Sequence, residues 1–372
     1  MAVAYDILDR RPFDMLSFDA VEAFDIGVPV WVPESCVLGD VGWTLFSFDF
    51  KRAEAVFLDI GADCDLSAAP FSYDMQYDRA RRLLRMPFAD FIRLAAQTKP
   101  PARLVHLFNI GHCGSTLLHH VFNRAGGVWC ISGPLFTFDA AMRRADGGGM
   151  DLGDLLHAGL RFLWLCPGAK DADVIVVKHF SQATLQIPVY AAVDPSAKRL
   201  FLYREGKAWC NSVYHFVQRH GTVLDLDMEQ GQFIWWIISG AKPQSLLDGV
   251  VDMATDRVGF DALAAVAWVL HLRDDVLEGC KDVELVPLRY EELNAERGAM
   301  IAQVFGQCGI DLSNIPAALL AFDADSHAGS KTSRAVPALD FGNDSVAVMD
   351  HIFAHPSMRF PADTVLPGSL MP

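Results

Sequence analysis

The pattern of apolar and polar residues changes near residue 100. Before that point, the stretch from Gly27 to Ile60 is rich in Val, Phe and Trp, and Phe46, Phe48 and Phe50 alternate with other residues. A period of two is typical of strands, so we predict strands or a hairpin in this stretch. From Tyr77 to Gln97, apolar residues recur at helical spacing with basic residues between them, which predicts one helix.

After residue 102, short apolar runs alternate with longer amphipathic ones. We predict strands at Leu104–Asn109, Val128–Ile131, Val174–Lys178, Leu200–Tyr203 and Glu284–Leu288. We predict helices at Ser115–Asn123, Leu152–Leu165, Gly206–Arg219, Gln230–Ile238, Asp261–Gly279 and Glu291–Cys308. This alternation favours an α/β fold, with a parallel sheet flanked by helices on both faces. The sequence thus predicts an N-terminal β-containing annex (1–100) and an α/β domain (101–372), with ligands bound beyond the carboxyl ends of the strands.

Composition narrows the class of protein. The formal net charge of the 372 residues is -15 and no Lys/Arg cluster offsets it, so we expect no nucleic-acid partner. The eight cysteines form no CxxC pair, which argues against a zinc site and favours buried thiols in a reducing compartment. We see no signal peptide and no apolar run long enough to cross a bilayer, and we therefore expect a cytoplasmic protein without a membrane partner.

One strand-to-helix junction has the outline of a phosphate-binding loop. In the sequence HLFNIGHCGSTLLHHVF, Gly111 and Gly114 permit a tight turn and close approach of the backbone to a ligand. Ser115 and Thr116 follow at the start of a helix, where free N–H groups and the helix dipole favour an anion. The lysine that precedes Ser/Thr in GxxxxGK[ST] loops is absent. The alternative is an ordinary turn in which Ser115 caps the helix.

A second junction supports the phosphate interpretation. The stretch RLFLYREGKAWCNSVYHF is a predicted strand that ends at Arg204, followed by a turn and a helix that carries Ser212. An arginine at the carboxyl end of a strand and a serine in the first turns of the next helix can converge on one phosphate.

In this combination the sequence resembles the sulfotransferases that use 3′-phosphoadenosine 5′-phosphosulfate (PAPS). The loop His112–Leu118 is similar to the family's PKSGTTW or RSGSTLL loops, and Arg204 and Ser212 match its Arg and Ser eight residues apart. The stretch Leu288–Leu293 matches a strand end of the Arg-Tyr-Glu-Asp-Leu type, and Gly329–Arg334 looks like the basic loop that covers the 3′-phosphate. The resemblance extends over about residues 103–336.

The resemblance implies a P-loop-type sheet of about five strands and a sulfotransferase that needs no metal. The enzyme would transfer a sulfuryl group from PAPS to a hydroxyl or amine of a small-molecule or glycan acceptor. The residues matched to the donor site are Gly111, His112, Cys113, Gly114, Ser115, Thr116, Arg204, Ser212, Ser333 and Arg334. The predicted catalytic residues are Lys178, His179 as general base, and His112. We expect the annex to cover the acceptor.

Two positions depart from the family's pattern. His112 stands where the loop usually has Lys or Arg. A neutral imidazole donates one hydrogen bond, and a phosphosulfate nearby would raise its pKa, so we expect a weaker and pH-dependent charge. His179 lies one position earlier than the family's histidine, and such a shift can turn its side chain to the opposite face.

These departures leave two alternatives. The first is a catalytically inactive protein that binds the nucleotide. The second is a P-loop kinase or NTPase, against which the missing lysine and the lack of a clear magnesium-binding aspartate argue. We predict Arg289, Tyr290 and Glu291 to be structural residues that join a strand end to the following helix.

Overall fold

The structure of the chain is a computed structural model. It describes residues 2–11, 20–39, 42–98, 103–145, 152–219, 265, 268–269, 271–326, 343–354 and 360–372. The predicted helix Gln230–Ile238, part of Asp261–Gly279, and the predicted donor residues Ser333 and Arg334 lie outside these ranges. The chain forms two units: unit 1 comprises residues 1–106, 126–179 and 189–197, and unit 2 comprises residues 107–125, 180–188 and 198–372. The predicted division at residue 100 stays a prediction.

An antiparallel sheet dominates the first hundred residues, all within unit 1. Its strands are β1 (Ala2–Arg10), β2 (Phe24–Ile26), β3 (Val30–Val32), β4 (Trp43–Asp49), β5 (Glu54–Asp59) and β6 (Arg82–Pro87). They lie in the order β2-β1-β6-β5-β4, and β3 pairs with β1. Strands β4 and β5 form the predicted hairpin, with a register shift between Leu45 and Ser47. The β-containing annex is therefore confirmed.

The single helix predicted from Tyr77 to Gln97 is wrong. The chain instead forms a helix, the strand β6 and a second helix. The strand RLLRMP hydrogen-bonds to β1 on one side and to β5 on the other, and Leu83, Leu84 and Met86 are fully buried. Its few apolar residues fit both a helical and an extended pattern, and pairing with two neighbours favours the extended one.

The second sheet has five parallel strands. They are β7 (Leu104–Asn109), β8 (Val128–Ser132), β9 (Val174–Lys178), β10 (Lys198–Tyr203) and β11 (Val286–Arg289), in the order β11-β10-β7-β9-β8. Each predicted strand is present, with ends displaced by at most two residues. The strands are buried almost throughout, as expected for a parallel sheet covered on both faces. The predicted α/β fold is confirmed.

Helices follow the strands, as the alternating pattern predicts. They are α1 (Cys36–Gly39), α2 (Ser72–Arg79), α3 (Phe88–Ala95), α4 (Ser115–Asn123), α5 (Leu135–Ala145), α6 (Gly153–Leu163), α7 (Ile187–Val193), α8 (Gly206–Arg219), α9 (Tyr290–Ala295), α10 (Arg297–Cys308), α11 (Ile315–Leu319) and α12 (Asn343–Ala354). The helix predicted over Glu291–Cys308 is divided at Glu296, whose backbone (φ -122°, ψ 54°) is not helical. His271–Glu278 is π-helical. Among the described residues, no helix is long and apolar enough to cross a membrane.

Candidate anion-binding site

The loop after β7 has an unusual backbone. Gly111, His112 and Gly114 all have positive φ angles, of 70°, 46° and 85°. Glycine adopts this conformation readily, whereas His112 is held there at a cost of about 1–3 kcal/mol. Strained residues of this kind cluster at ligand-binding sites, where a surrounding structure holds them in place. The loop is thus built as a turn that brings backbone N–H groups close together.

Neighbouring side chains fix this loop within unit 2. The Trp209 indole N–H, from α8, donates to the carbonyls of Gly111 at 2.8 Å and Ile110 at 3.2 Å. The side-chain oxygen of Asn109 accepts the Gly111 N–H at 2.9 Å. Ser115 and Thr116 then begin α4, whose first N–H groups have no partner within the helix. The arrangement gives the loop the geometry that an anion at a helix N-terminus requires.

Arg204 follows β10 and contacts the same loop. Its Nη1 donates to the carbonyl of His112 at 3.3 Å, and its guanidinium lies 4.8 Å from the centre of the Tyr290 ring. Tyr290 also packs on Gly114, where the Cβ of any other residue would lie 2.5 Å from the ring. Only glycine fits at this position, because both its φ angle and the space left by Tyr290 exclude a side chain. Tyr290 therefore joins the loop to Arg204.

The N-terminus of α8 is already occupied by other parts of unit 2. The Glu205 carboxylate accepts the N–H groups of Lys207 at 3.0 Å and Ala208 at 2.6 Å. The Gly206 N–H donates to the carbonyl of Ala362 at 2.7 Å. These groups are therefore not open to a ligand. An anion near Arg204 would depend on the guanidinium and on the half-buried Ser212, not on the dipole end of α8.

Lys178 and His179 lie in unit 1. Lys178 is buried at the end of β9; its Nζ donates to the Ser132 hydroxyl at 3.0 Å and lies 4.8 Å from the centre of the Phe71 ring. The Ser132 hydroxyl in turn donates to the carbonyl of Pro70 at 2.5 Å. The ammonium group is thus held by a hydroxyl and an aromatic face, which compensate for part of its lost hydration.

His179 forms a buried pair with another histidine. Its Nε2 lies 2.9 Å from Nδ1 of His106 on β7, and its ring lies 4.6 Å from that of Tyr190. His179 is 1% exposed, and burial lowers its pKa well below 6.5, with His106 contributing in the same direction. The imidazole is therefore neutral at pH 7, which is the form that a general base requires.

The structure brings some predicted site residues together. Residues 111–116 and Arg204 share one neighbourhood in unit 2, and Cys113 is buried there, with its thiol donating to the carbonyl of Leu202 at 3.3 Å. The roles of all these residues in binding or catalysis stay predictions. The described residues contain no group of three or more His, Cys, Asp or Glu side chains that could hold a metal ion.

Sequence reasoning missed the contacts of Tyr290, Glu291, Glu205 and His106. For His106 a signal existed, since it is a polar residue in the middle of a mostly apolar strand. For Tyr290 and Glu291 the signal was the motif after β11, which was interpreted as a link between strand and helix. Their contacts with Arg204 depend on the pairing of β10 with β11, which the sequence pattern does not specify.

The sequence matches no family model, and no curated protein is similar to it. Solved structures similar to this chain include a sulfotransferase from Mycobacterium avium, which is 11% identical with a TM-score of 0.42 over 70% of this chain and 77% of its own. A sulfotransferase from Mycobacterium tuberculosis is 13% identical, with a TM-score of 0.42 over 70% and 78%. A mouse sulfotransferase solved with PAP is 12% identical, with a TM-score of 0.37 over 71% and 87%.

Proposed function

We propose that this chain is a sulfotransferase that moves a sulfuryl group from PAPS to a hydroxyl or amine of a small-molecule or glycan acceptor. The observation that carries the proposal is the meeting of two anion-binding elements in unit 2. The strained loop 111–114 opens onto the N-terminus of α4, and Arg204 donates a hydrogen bond to this loop at the carbonyl of His112. These are the two elements through which the sequence resembles PAPS-dependent enzymes.

Each element would hold one end of the donor. The loop N–H groups and the hydroxyls of Ser115 and Thr116 would bind the 5′ end, where negative charge collects on the leaving phosphate during transfer. Arg204 and Ser212 would bind the 3′-phosphate, with Ser333 and Arg334 as further ligands by resemblance. His112 would supply the cation that a lysine supplies in related loops, in a pH-dependent way.

Transfer also requires removal of a proton from the acceptor. We assign this step to His179 and stabilisation of the sulfuryl oxygens to Lys178. Burial keeps His179 neutral, the form that a base requires, but the same lowered pKa makes it a weak proton acceptor, and its 1% exposure means that the acceptor needs a path to a buried side chain. The burial also supports the second candidate function, a protein that binds the nucleotide and does not catalyse transfer.

The testing experiment is a calorimetric titration with 3′,5′-adenosine bisphosphate, the desulfated product, with ATP and magnesium as comparison. We expect micromolar binding of the bisphosphate and no binding of ATP. Arg204→Ala should weaken the binding of the bisphosphate about 10- to 100-fold, because it removes a charge-assisted hydrogen bond. Ser212→Ala should weaken this binding less. The exposed Lys281→Ala in the same unit is the control for a lost positive charge and should have little effect.

Three outcomes decide between the functions. Unchanged affinity in both site variants would show that the 3′-phosphate lies elsewhere. Binding of the bisphosphate without sulfation of any acceptor by the purified protein would favour the inactive alternative. Magnesium-dependent binding and turnover of ATP would favour a kinase or NTPase.

A further inference from the structure

A carboxylate lies between the two arginines at the ends of β10 and β11. Tyr203 and Arg289 are partners in the parallel ladder, so Arg204 and Arg289 emerge at the same edge of the sheet. Glu291 lies between them: one carboxylate oxygen is 3.7 Å from Nε of Arg204, and the other is 3.4 Å from Nε of Arg289. Glu291 is therefore the counter-ion of the arginine that we assign to the 3′-phosphate.

The backbone holds Glu291 in this position. The N–H of Glu205 points between its two oxygens, at 3.3 Å and 3.2 Å. The side chains of Arg204 and Glu291 are only 24% and 33% exposed, so water and salt screen their interaction incompletely. Glu291 is thus held beside Arg204 by a backbone hydrogen bond and is partly shielded from solvent.

The contact with Arg204 is nevertheless loose. At 3.7 Å it is longer than a normal hydrogen bond, and the buried Nε–H of Arg204 has no hydrogen-bond partner among the described residues. A guanidinium in this state can form better hydrogen bonds with a phosphate than it forms with Glu291. The carboxylate neutralises Arg204 without saturating its donors.

Further negative charge surrounds the pair. Glu292 lies 3.6 Å from Nη1 of Arg289, and Glu205 caps α8 one residue after Arg204. Two guanidiniums and three carboxylates thus belong to this part of unit 2, and two of the carboxylates contact the guanidiniums. A phosphate that binds here is attracted by Arg204 and repelled by the fixed negative charge of Glu291 beside it, and this repulsion opposes its binding.

We propose that Glu291 competes with the 3′-phosphate for Arg204 and sets the affinity of the site for 3′-phosphorylated nucleotides. The inference rests on the proposed function and adds a specificity-determining residue to it. A bound phosphate replaces Glu291 as the main partner of the Arg204 guanidinium, and departure of the nucleotide restores the Arg204–Glu291 pair. Glu291 thereby weakens the binding of the donor and of its desulfated product alike, which favours release of the product.

The test uses Glu291→Gln, which removes the charge and keeps a side chain of the same length that can still accept the Glu205 N–H. Calorimetry would compare 3′,5′-adenosine bisphosphate with adenosine 5′-phosphate, which lacks the 3′-phosphate. We expect Glu291→Gln to raise the affinity for the bisphosphate about tenfold and to change the affinity for the monophosphate less than about twofold. If Glu291 had a merely structural role, the substitution would weaken the binding of both nucleotides or change both affinities equally.

Two further variants identify the cause. Glu292→Gln is the matched control. It removes the same charge from the next residue, whose side chain contacts Arg289 and not Arg204. We expect it to raise the affinity for the bisphosphate less than about threefold. In an Arg204→Ala background, the gain in affinity from Glu291→Gln should fall below about threefold, because the contested cation is gone and only the repulsion between Glu291 and the phosphate remains. An equal gain in affinity with and without Arg204 would mean that Glu291 only repels the phosphate, and the proposed competition for Arg204 would be wrong.

The outcomes separate this inference from the proposed function. If the wild-type protein binds the bisphosphate and Glu291→Gln binds it no more tightly, the inference is wrong and the proposed function stands. If the wild type shows no binding and Glu291→Gln binds, the inference is supported. If neither binds, both are wrong.

Discussion

His112 combines a strained backbone with the place of a missing cation. Histidine is among the non-glycine residues that adopt positive φ most often, and lysine is not, so the φ angle of 46° offers a physical reason for histidine at this position. The imidazole also titrates near neutral pH, which a lysine does not. Under the proposed function, the loop would therefore carry a charge that depends on pH in place of a permanent one.

Replacing His112 by Asn should remove this pH dependence. Asparagine tolerates positive φ, so the loop should keep its shape while it loses the titratable group. The phosphates of 3′,5′-adenosine bisphosphate also titrate near pH 6, so the wild type and the variant are compared at each pH: we expect the wild type to bind up to about tenfold more tightly than His112→Asn at pH 6 and about equally at pH 8. Calorimetry at both pH values gives this ratio of affinities, and a ratio that does not change with pH would show that His112 is not the titrating cation.

Gly114→Ala should destabilise unit 2. The substitution forces alanine into a φ of 85° and places its Cβ 2.5 Å from the Tyr290 ring, so we expect a loss of at least about 2 kcal/mol in the free energy of unfolding. Urea denaturation measures this loss. The control is Gly306→Ala in α10, which meets open space and should stabilise the protein by about 0.5–1 kcal/mol. Equal effects of the two substitutions would contradict the packing argument.

At the scale of whole elements, the segment 360–372 supports the strand end that carries Arg204. The Tyr203 hydroxyl accepts the Leu366 N–H at 3.0 Å and lies 2.8 Å from the Ser369 hydroxyl, while Leu370 N–H donates to the carbonyl of Pro287 on β11. Burial raises the pKa of Tyr203, which keeps the hydroxyl protonated. One phenol thus ties this segment to the sheet.

Tyr203→Phe should lower the free energy of unfolding by about 1–3 kcal/mol, because it leaves the buried Leu366 N–H without its acceptor. Ser369→Ala is the matched control: it removes one partner of the phenol and leaves the bond from Leu366, so its cost should stay below about 1 kcal/mol. Thermal or urea unfolding of both variants distinguishes them. If Tyr203→Phe costs no more than Ser369→Ala, the segment is held by its apolar contacts instead.

The elements show which parts of the fold were predictable. Strands such as β7 and β9 are short, apolar runs bounded by clear turn residues, and their positions follow from periodicity. Strand β6 was not predictable, because six residues carry too little periodicity and the pairing with β1 and β5 decides their conformation.

The same limit applies to the candidate site. Gly114, Ser115 and Arg204 were found because local motifs report local geometry: a turn, a helix start and a strand end. The contact of Glu291 with Arg204 could not be predicted in this way, although both residues lie in recognised motifs. It arises from the ladder between β10 and β11, whose strands are more than 80 residues apart in the sequence.

At the scale of the whole molecule, the buried pair of His106 and His179 should link the stability of the protein to pH. The folded state holds His179 with a pKa well below 6.5, chiefly through burial. The unfolded chain has an ordinary histidine at this position, so it binds a proton more readily than the folded protein does. The free energy of unfolding is therefore fully retained above about pH 6.5 and falls as the pH decreases towards the folded-state pKa.

One such site changes stability by up to about 1.4 kcal/mol per pH unit, so we expect a loss of about 1–2 kcal/mol between pH 7.5 and pH 5 from His179 alone. Urea unfolding over this range measures the slope. His179→Gln lacks the titrating ring, and its stability should depend on pH less steeply even if it is lower throughout. His157, which is exposed on α6, provides the control: His157→Gln should keep the wild-type slope. If His179→Gln also keeps it, the acid sensitivity comes from other groups, and a neutral, buried His179 would no longer be supported.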